Sequence, residues 1–156
     1  MGSANDFSDL LGLPRDLTAA AKLIAAGNSR KLDVGCVNGR FFLNNSAVGM
    51  EPMVTIESQK IKWLSGSARY MAALARALIH LRAWPMKITW DDGSYEGDVF
   101  LLSMCNGPRT GGFPMAPGAV LDDGLLYFVF NFKMSKLSLM YLRPKLLKGT
   151  HINQPH

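Results

Sequence analysis

The chain has 156 residues, 48% of them hydrophobic and 19% charged, with 15 Gly, 8 Pro, 2 Cys and a formal net charge of +5. A chain of this length suits one domain that buries well over half of its unfolded surface, which excludes disorder, and two cysteines exclude a disulfide scaffold. Lys/Arg and Asp/Glu balance over residues 1–123, so the whole excess comes from Lys133, Lys136, Arg143, Lys145 and Lys148, beyond which no acidic residue follows.

A nucleic-acid binder expects its basic groups spread over one face or interleaved with exposed aromatics, so nucleic acid is not an expected partner. Cys36 and Cys105 have no Cys or His at metal-ligand spacing and read as reduced core residues of a reducing, cytoplasmic compartment. The longest apolar runs, Val99 to Met104 and Leu125 to Phe132, fall far short of the roughly 20 residues of a membrane span. The N-terminus lacks a basic-then-apolar signal pattern, and the expectation is a soluble protein.

In chain order, Asp16 is placed to cap a helix over Leu17 to Ala26, with Gly27 as its stop. From Lys31 the period becomes strand-like, Leu32 to Val37 and then Arg40 to Asn45. Asn38-Gly39 between them predicts a hairpin, because both turn positions take positive φ. Gly49 and Pro52 break the next segment. After Gly66, the residues Tyr70, Met71, Leu74, Ala77, Leu78 and Leu81 recur at helical spacing and predict the longest helix, capped by Ser65 or Ser67 and ended by Trp84 ahead of Pro85. Met86 to Trp90 and Tyr95 to Cys105 form a second expected hairpin about Asp91-Asp92-Gly93-Ser94. Asn106 to Gly118 reads as a Gly/Pro loop, Leu125 to Phe132 as a strand entered through the Asp122-Asp123-Gly124 turn, and Ser135 to Lys148 as a helix.

The pattern predicts a mainly β, α+β chain: an antiparallel β-sandwich with one long helix and one or two short ones, rather than alternating βαβ units. No Gly-x-Gly-x-x-Gly, Walker loop, His-Glu-x-x-His or Cys-x-x-Cys is present, and His80, His151 and His156 do not suggest a catalytic set.

Three separated segments carry a resemblance. They are Gly2-Ser3-Ala4-Asn5-Asp6-Phe7, then Val37-Asn38-Gly39-Arg40-Phe41-Phe42-Leu43-Asn44, and finally Asn106-Gly107-Pro108-Arg109-Thr110-Gly111-Gly112-Phe113 with Ala116-Pro117-Gly118-Ala119 and Asp122-Asp123-Gly124-Leu125-Leu126. In order and spacing they resemble the diacylglycerol kinase and sphingosine kinase-like lipid kinases of bacterial type. The chain is similar to the C-terminal β-sandwich part of these NAD kinase-like proteins, with residues 1–30 as the end of the nucleotide-binding domain and a linker helix, and residues 31–156 as a sandwich domain truncated at its C-terminal end.

The resemblance implies ATP as phosphoryl donor, a diacylglycerol-like lipid hydroxyl as acceptor, and a peripheral place at the inner face of a membrane. The family's Gly-Gly-Asp-Gly-Thr nucleotide loop and its Asp-Gly-Glu motif, which carries the general base, are both missing. The expectation is therefore the middle of a lipid kinase, inactive by itself, with no catalytic residue assigned and with bare strand edges that favour pairing between copies.

By the same resemblance, Gly2, Ser3, Asn5 and Asp6 line the nucleotide-binding edge, and Mg²⁺ sits on the Asp98 side chain and the carbonyls of Tyr95 and Phe100, hard oxygen donors of the kind the ion takes. Each has a plainer reading: a capping cluster for the first four and a β-bulge for Gly97-Asp98. Asp122 and Asp123 are ordinary turn residues or a carboxylate pair, Arg109 is a solvated loop arginine or a phosphate contact, and His80 is a helix histidine. The Lys133 to Lys148 stretch is a solvated helix face or an attractor for anionic lipid. A non-catalytic β-sandwich module that binds a lipid or a protein is the alternative to the kinase.

Overall fold

The structure is a computed structural model and describes residues 5–133, 135, 138, 145 and 148–151. The chain folds as two compact units: one of Met1–Asn45, Cys105–Tyr127 and Leu146–His156, the other of Ser46–Met104 and Phe128–Lys145.

In the first unit, Asn5 in the left-handed region (φ 58) opens a short helix α1, Asp6–Leu10. Asp16 then accepts from Ala19 N at 2.8 Å and caps α2, Leu17–Ala25, as its sequence position predicts, and Gly27 (φ 69) lies just past the helix end. Strands β1, Gly35–Val37, and β2, Arg40–Phe42, pair antiparallel with Val37 opposite Arg40, and Asn38 and Gly39 take the positive φ of 49° and 75° that the tight turn requires. Cys105 is buried as expected, whereas Cys36 is exposed. The reason is geometric: a two-stranded ribbon has one buried face at most, and Cys36 lies opposite Phe41, itself 78% exposed.

The second unit holds, apart from the end residues Asn45, Cys105 and Tyr127, β3, Asn45–Gly49; α3, Met50–Lys60; α4, Gly66–Ile79; β4, Trp84–Trp90; β5, Gly93–Cys105; and β6, Tyr127–Phe132. The sheet order is β3-β5-β4, with β6 also paired to β5. Helix α3 occupies the segment in which Gly49 and Pro52 signal a break. Pro52 falls in the first helical turn, where a missing N–H forfeits no intrahelical bond. Gly49 (φ 90) is required because a Cβ there would come within 2.2 Å of the Phe100 carbonyl oxygen.

Helix α4 is the longest, as its periodicity predicts, but it ends at Ile79, and Trp84 and Pro85 begin β4. A proline is tolerated there because β4 is an edge strand. Ser65 occupies the N-cap position of α4 without making a side-chain capping bond. Of the helix expected over Ser135 to Lys148, Ser138 and Lys145 are helical and Ser135 Oγ accepts from Ser138 N at 3.1 Å; its other residues, apart from Lys148, lie outside the described ones.

Val54 and Ile61 of the α3 side meet Ala73 and Ala77 of α4 in a buried cluster, where two alanines one turn apart let the helices approach closely. Along β5, Val99, Phe100 and Leu101 are buried in succession, so the strand is covered on both faces and its apolar end reads as a continuous run. The rings of Phe128, Phe130 and Phe132 alternate along β6 and join Trp90 and Tyr95, with Tyr95–Phe130 and Trp90–Phe128 centroids at 5.0 and 5.2 Å.

Candidate functional site

The three motif segments converge in the first unit. The main-chain oxygen of Asn44, at the end of the hairpin motif, accepts from Asn106 N at 2.8 Å and from Gly107 N at 3.2 Å, and Asn44 Nδ2 donates to the Arg109 carbonyl at 2.9 Å. Asn106 is fully buried, and its Nδ2 donates to the carbonyls of Asp33 and Leu43, both at 2.8 Å. These donors fix both carboxamides, leaving Asn44 Oδ1 and Asn106 Oδ1 as buried acceptors without a donor among the described residues. Gly107 is confined as well, since a Cβ there would stand 2.5 Å from Asn44 Oδ1.

The loop that follows is tied to the first motif. Thr110 and Phe113 exchange backbone hydrogen bonds of 2.9 and 3.0 Å, and between them Gly111 (φ 59) and Gly112 (φ 85) take conformations that side chains resist. Gly112 N donates to Asp6 Oδ2 at 2.9 Å, Arg109 Nη2 donates to the Gly112 carbonyl at 3.0 Å, and Arg109 Nε lies 3.7 Å from Asp6 Oδ1. The Asp6 side chain is only 9% exposed. A carboxylate that accepts a backbone N–H is a strong acceptor, so Asp6 acts as the strut that holds the glycine-rich loop in place.

The turn residues settle into separate partnerships. Asp33 N donates to the Leu121 carbonyl and Asp33 Oδ2 accepts from Gly124 N, both at 2.7 Å. Asp122 pairs with Arg30 at 2.6 Å, and Asp123 accepts from the Tyr127 hydroxyl at 2.6 Å and from Leu125 N at 3.0 Å. The Tyr127 hydroxyl and then the Leu125 amide hold the Asp123 carboxyl below its ordinary range, while donation to Asp123 raises the Tyr127 hydroxyl. The two neighbouring carboxylates thus face different partners.

Of the residues the resemblance assigns to the nucleotide edge, Gly2 and Ser3 lie outside the described residues. Asn5 sits at the N-cap of α1 with no side-chain capping bond, and Asp6 carries the loop. A carboxylate already committed to an amide is a poor partner for a phosphate, whereas the neutral carboxamide of Asn5 suits ribose or phosphate oxygens.

Of the three oxygens assigned to Mg²⁺, that of the Asp98 carboxylate already has a cationic neighbour. The β4–β5 register runs unbroken from Trp84 opposite Val99 to Trp90 opposite Gly93, with no bulge at Gly97-Asp98. Asp98 Oδ2 meanwhile accepts from Lys133 Nζ at 3.1 Å, and Gly49 packs against the Phe100 carbonyl. With Asp98 paired to an ammonium, no step is derived through the ion. Arg109 belongs to its own loop, and His80 is the exposed C-cap of α4.

Asn44, Asn106 and Asp33 are the site residues not singled out from the sequence. The first two stand inside quoted motifs, and Asp33 carries no local signal at all.

Residues 45–156 match the family described as YegS C-terminal NAD kinase beta sandwich-like domain. The chain belongs to this family. Membership agrees with the α+β architecture and its antiparallel hairpins. The chain is also 30% identical over 159 residues to the diacylglycerol kinase of Bacillus subtilis (strain 168), covering 100% of this chain and 52% of that protein. To the diacylglycerol kinase of Staphylococcus epidermidis (strain ATCC 12228 / FDA PCI 1200) it is 31% identical over 158 residues, covering 99% of this chain and 50% of that one. A crystal structure of a diacylglycerol kinase from Bacillus anthracis str. Sterne superposes with a TM-score of 0.66 at 29% identity, over 96% of this chain and 49% of the other. The chain spans about half the length of the curated relatives it matches. Among the described residues of this sandwich-like domain, no helix is long and apolar enough to cross a membrane.

Proposed function

We propose that this chain is part of an ATP-dependent lipid kinase that transfers the terminal phosphoryl group of ATP to a hydroxyl of a diacylglycerol-like lipid at a membrane surface. ATP supplies the phosphoryl group when bound, and phosphoryl transfer depends chiefly on positioning and charge neutralisation. The part of this chain is positioning. Asp6 fixes the glycine-rich loop, and Asn5, with Gly2 and Ser3 ahead of it in the sequence, offers neutral polar groups to the nucleotide.

The observation that carries this reading is the bond from Gly112 N to Asp6 Oδ2, which joins the Asn-Asp-Phe segment to the glycine-rich loop in a chain whose relatives are named diacylglycerol kinase. These 156 residues contain neither a Gly-Gly-Asp-Gly-Thr nor an Asp-Gly-Glu sequence, and the reading expects no phosphoryl transfer by them alone. The test replaces the matching half of the Bacillus subtilis kinase with this chain and assays phosphorylation of diacylglycerol. Transfer by the chimera, with none by the isolated chain, is the expected result. A chimera that folds and binds ATP but leaves diacylglycerol unphosphorylated refutes the reading.

A further inference from the structure

The connection between α3 and α4 has a surface that the phosphoryl-transfer site does not use. Ile61, 3% exposed, and Leu64 both pack on the cluster of Val54, Ala73 and Ala77, and Arg69 Nε donates to the Leu64 carbonyl at 2.6 Å. The segment is therefore anchored on both sides of Trp63, which stands 82% exposed between them. The indole cannot turn inward without displacing an anchor.

Its neighbours in sequence are the exposed Lys60 and Lys62, and Ile56, half-exposed, lies one turn before Lys60 on the side of α3 away from Val54. Over residues 46–83 the basic groups are Lys60, Lys62, Arg69, Arg76 and Arg82, against Glu51 and Glu57 alone. Glu57 is itself paired with Lys60 and with Arg76, the latter at 2.9 Å, which leaves a positive balance over this stretch of chain.

We propose that this connection is a docking point for an anionic lipid bilayer, with the Trp63 ring seated at headgroup level and Lys62 on the lipid phosphates. The proposal rests on the reading that the acceptor is a lipid, and names the surface that brings this chain to it. A large amphipathic ring flanked by long cationic side chains matches the bilayer interface, where Trp is enriched and Lys stems extend toward the headgroups. A single exposed aromatic beside lysines, with Ile56 as an exposed apolar side chain on the preceding helix, lacks the buried centre of a protein-binding hot spot.

The test is co-sedimentation of the 156-residue chain with vesicles of phosphatidylglycerol and phosphatidylcholine in equal parts, compared with pure phosphatidylcholine. The chain binds the anionic vesicles, binding falls as salt rises, Trp63→Ala weakens it about tenfold, Trp63→Phe less, and Lys62→Glu weakens it at low salt. Both side chains are exposed, so the far-UV circular dichroism of the variants stays that of the parent and a loss of binding is not a loss of fold. Equal binding to neutral vesicles, or Trp63→Ala binding as tightly as the parent, overturns the proposal. So does a Trp63-dependent dimer without vesicles, which assigns the surface to a second copy. Vesicle binding requires neither ATP nor transfer, so this result and the outcome of the chimera assay are read separately.

Discussion

Asp6 Oδ2 accepts the backbone N–H of Gly112 at 2.9 Å, across 106 residues of chain. One carboxylate thereby determines where a loop built on two left-handed glycines stands, and a short terminal helix becomes part of the site. Asp6→Ala leaves the Gly112 amide without its acceptor in a nearly buried setting, and the expected destabilisation is about 1–2 kcal/mol. Asp6→Asn keeps an acceptor and costs less. Chemical denaturation gives both values, and faster hydrogen exchange of the Gly112 amide in Asp6→Ala locates the effect.

Asn106 is the buried knot between the strand end and the segment that leads into the hairpin. Asn106→Ala removes two hydrogen bonds and leaves the carbonyls of Asp33 and Leu43 unpaired, an expected loss of about 2–3 kcal/mol. Asn106→Asp is isosteric but turns an acceptor toward those carbonyls and buries a charge. Its stability is lower still at neutral pH and recovers on acidification, because the protonated acid can donate. Denaturant midpoints of the two variants at neutral and acid pH check the order.

Two carboxyls give the chain a defined acid arm. The Lys60 ammonium and then Arg76 hold Glu57 below its ordinary range, and the Tyr127 hydroxyl does so for Asp123. A folded pKa below the unfolded one means that the unfolded chain binds more protons. The stabilisation is thus complete above about pH 4 and disappears as pH falls through the lower folded value. Tyr127 has the opposite sign: its raised pKa gives a contribution complete below about pH 10 that is lost as pH rises further. Tyr127→Phe should flatten the alkaline arm and shorten the acid one, measured as denaturant midpoint against pH.

The pairing of Asp98 with Lys133 bears on metal dependence. With an ammonium on Asp98, addition of Mg²⁺ or of a chelator should leave the thermal midpoint unchanged. Lys133→Ala should shift stability by less than about 1 kcal/mol, as expected for an exposed pair. A midpoint that rises with Mg²⁺ concentration would mean that the ion displaces Lys133 from Asp98.

Much of this was legible in the residues. Asp16, Asn38-Gly39 and the apolar end of β5 are local signals, and local physics honours them. Pro52 misleads because its effect depends on whether it opens a helix or interrupts one, which the following residues decide only through packing of Val54 and Ile61 against α4. Pro85 misleads in the same way, since an edge strand tolerates it. The motif resemblance placed Asn5 and Asp6 near a nucleotide, but the role of Asp6 as a strut depends on a partner that lies 106 residues away. Asp33 has no motif at all, and only the folded chain brings it to Gly124.

The central claim is that this chain supplies the nucleotide-side frame of a lipid kinase and that Asp6 holds that frame. Its most direct measurement is steady-state kinetics of the chimera with the Bacillus subtilis kinase, comparing Asp6→Ala, Asp6→Asn and the unaltered chain at varied ATP. The expected result is a rise in KM for ATP of about tenfold in Asp6→Ala and a smaller one in Asp6→Asn, with KM for diacylglycerol little changed. An Asp6→Ala chimera with unaltered ATP kinetics would contradict it.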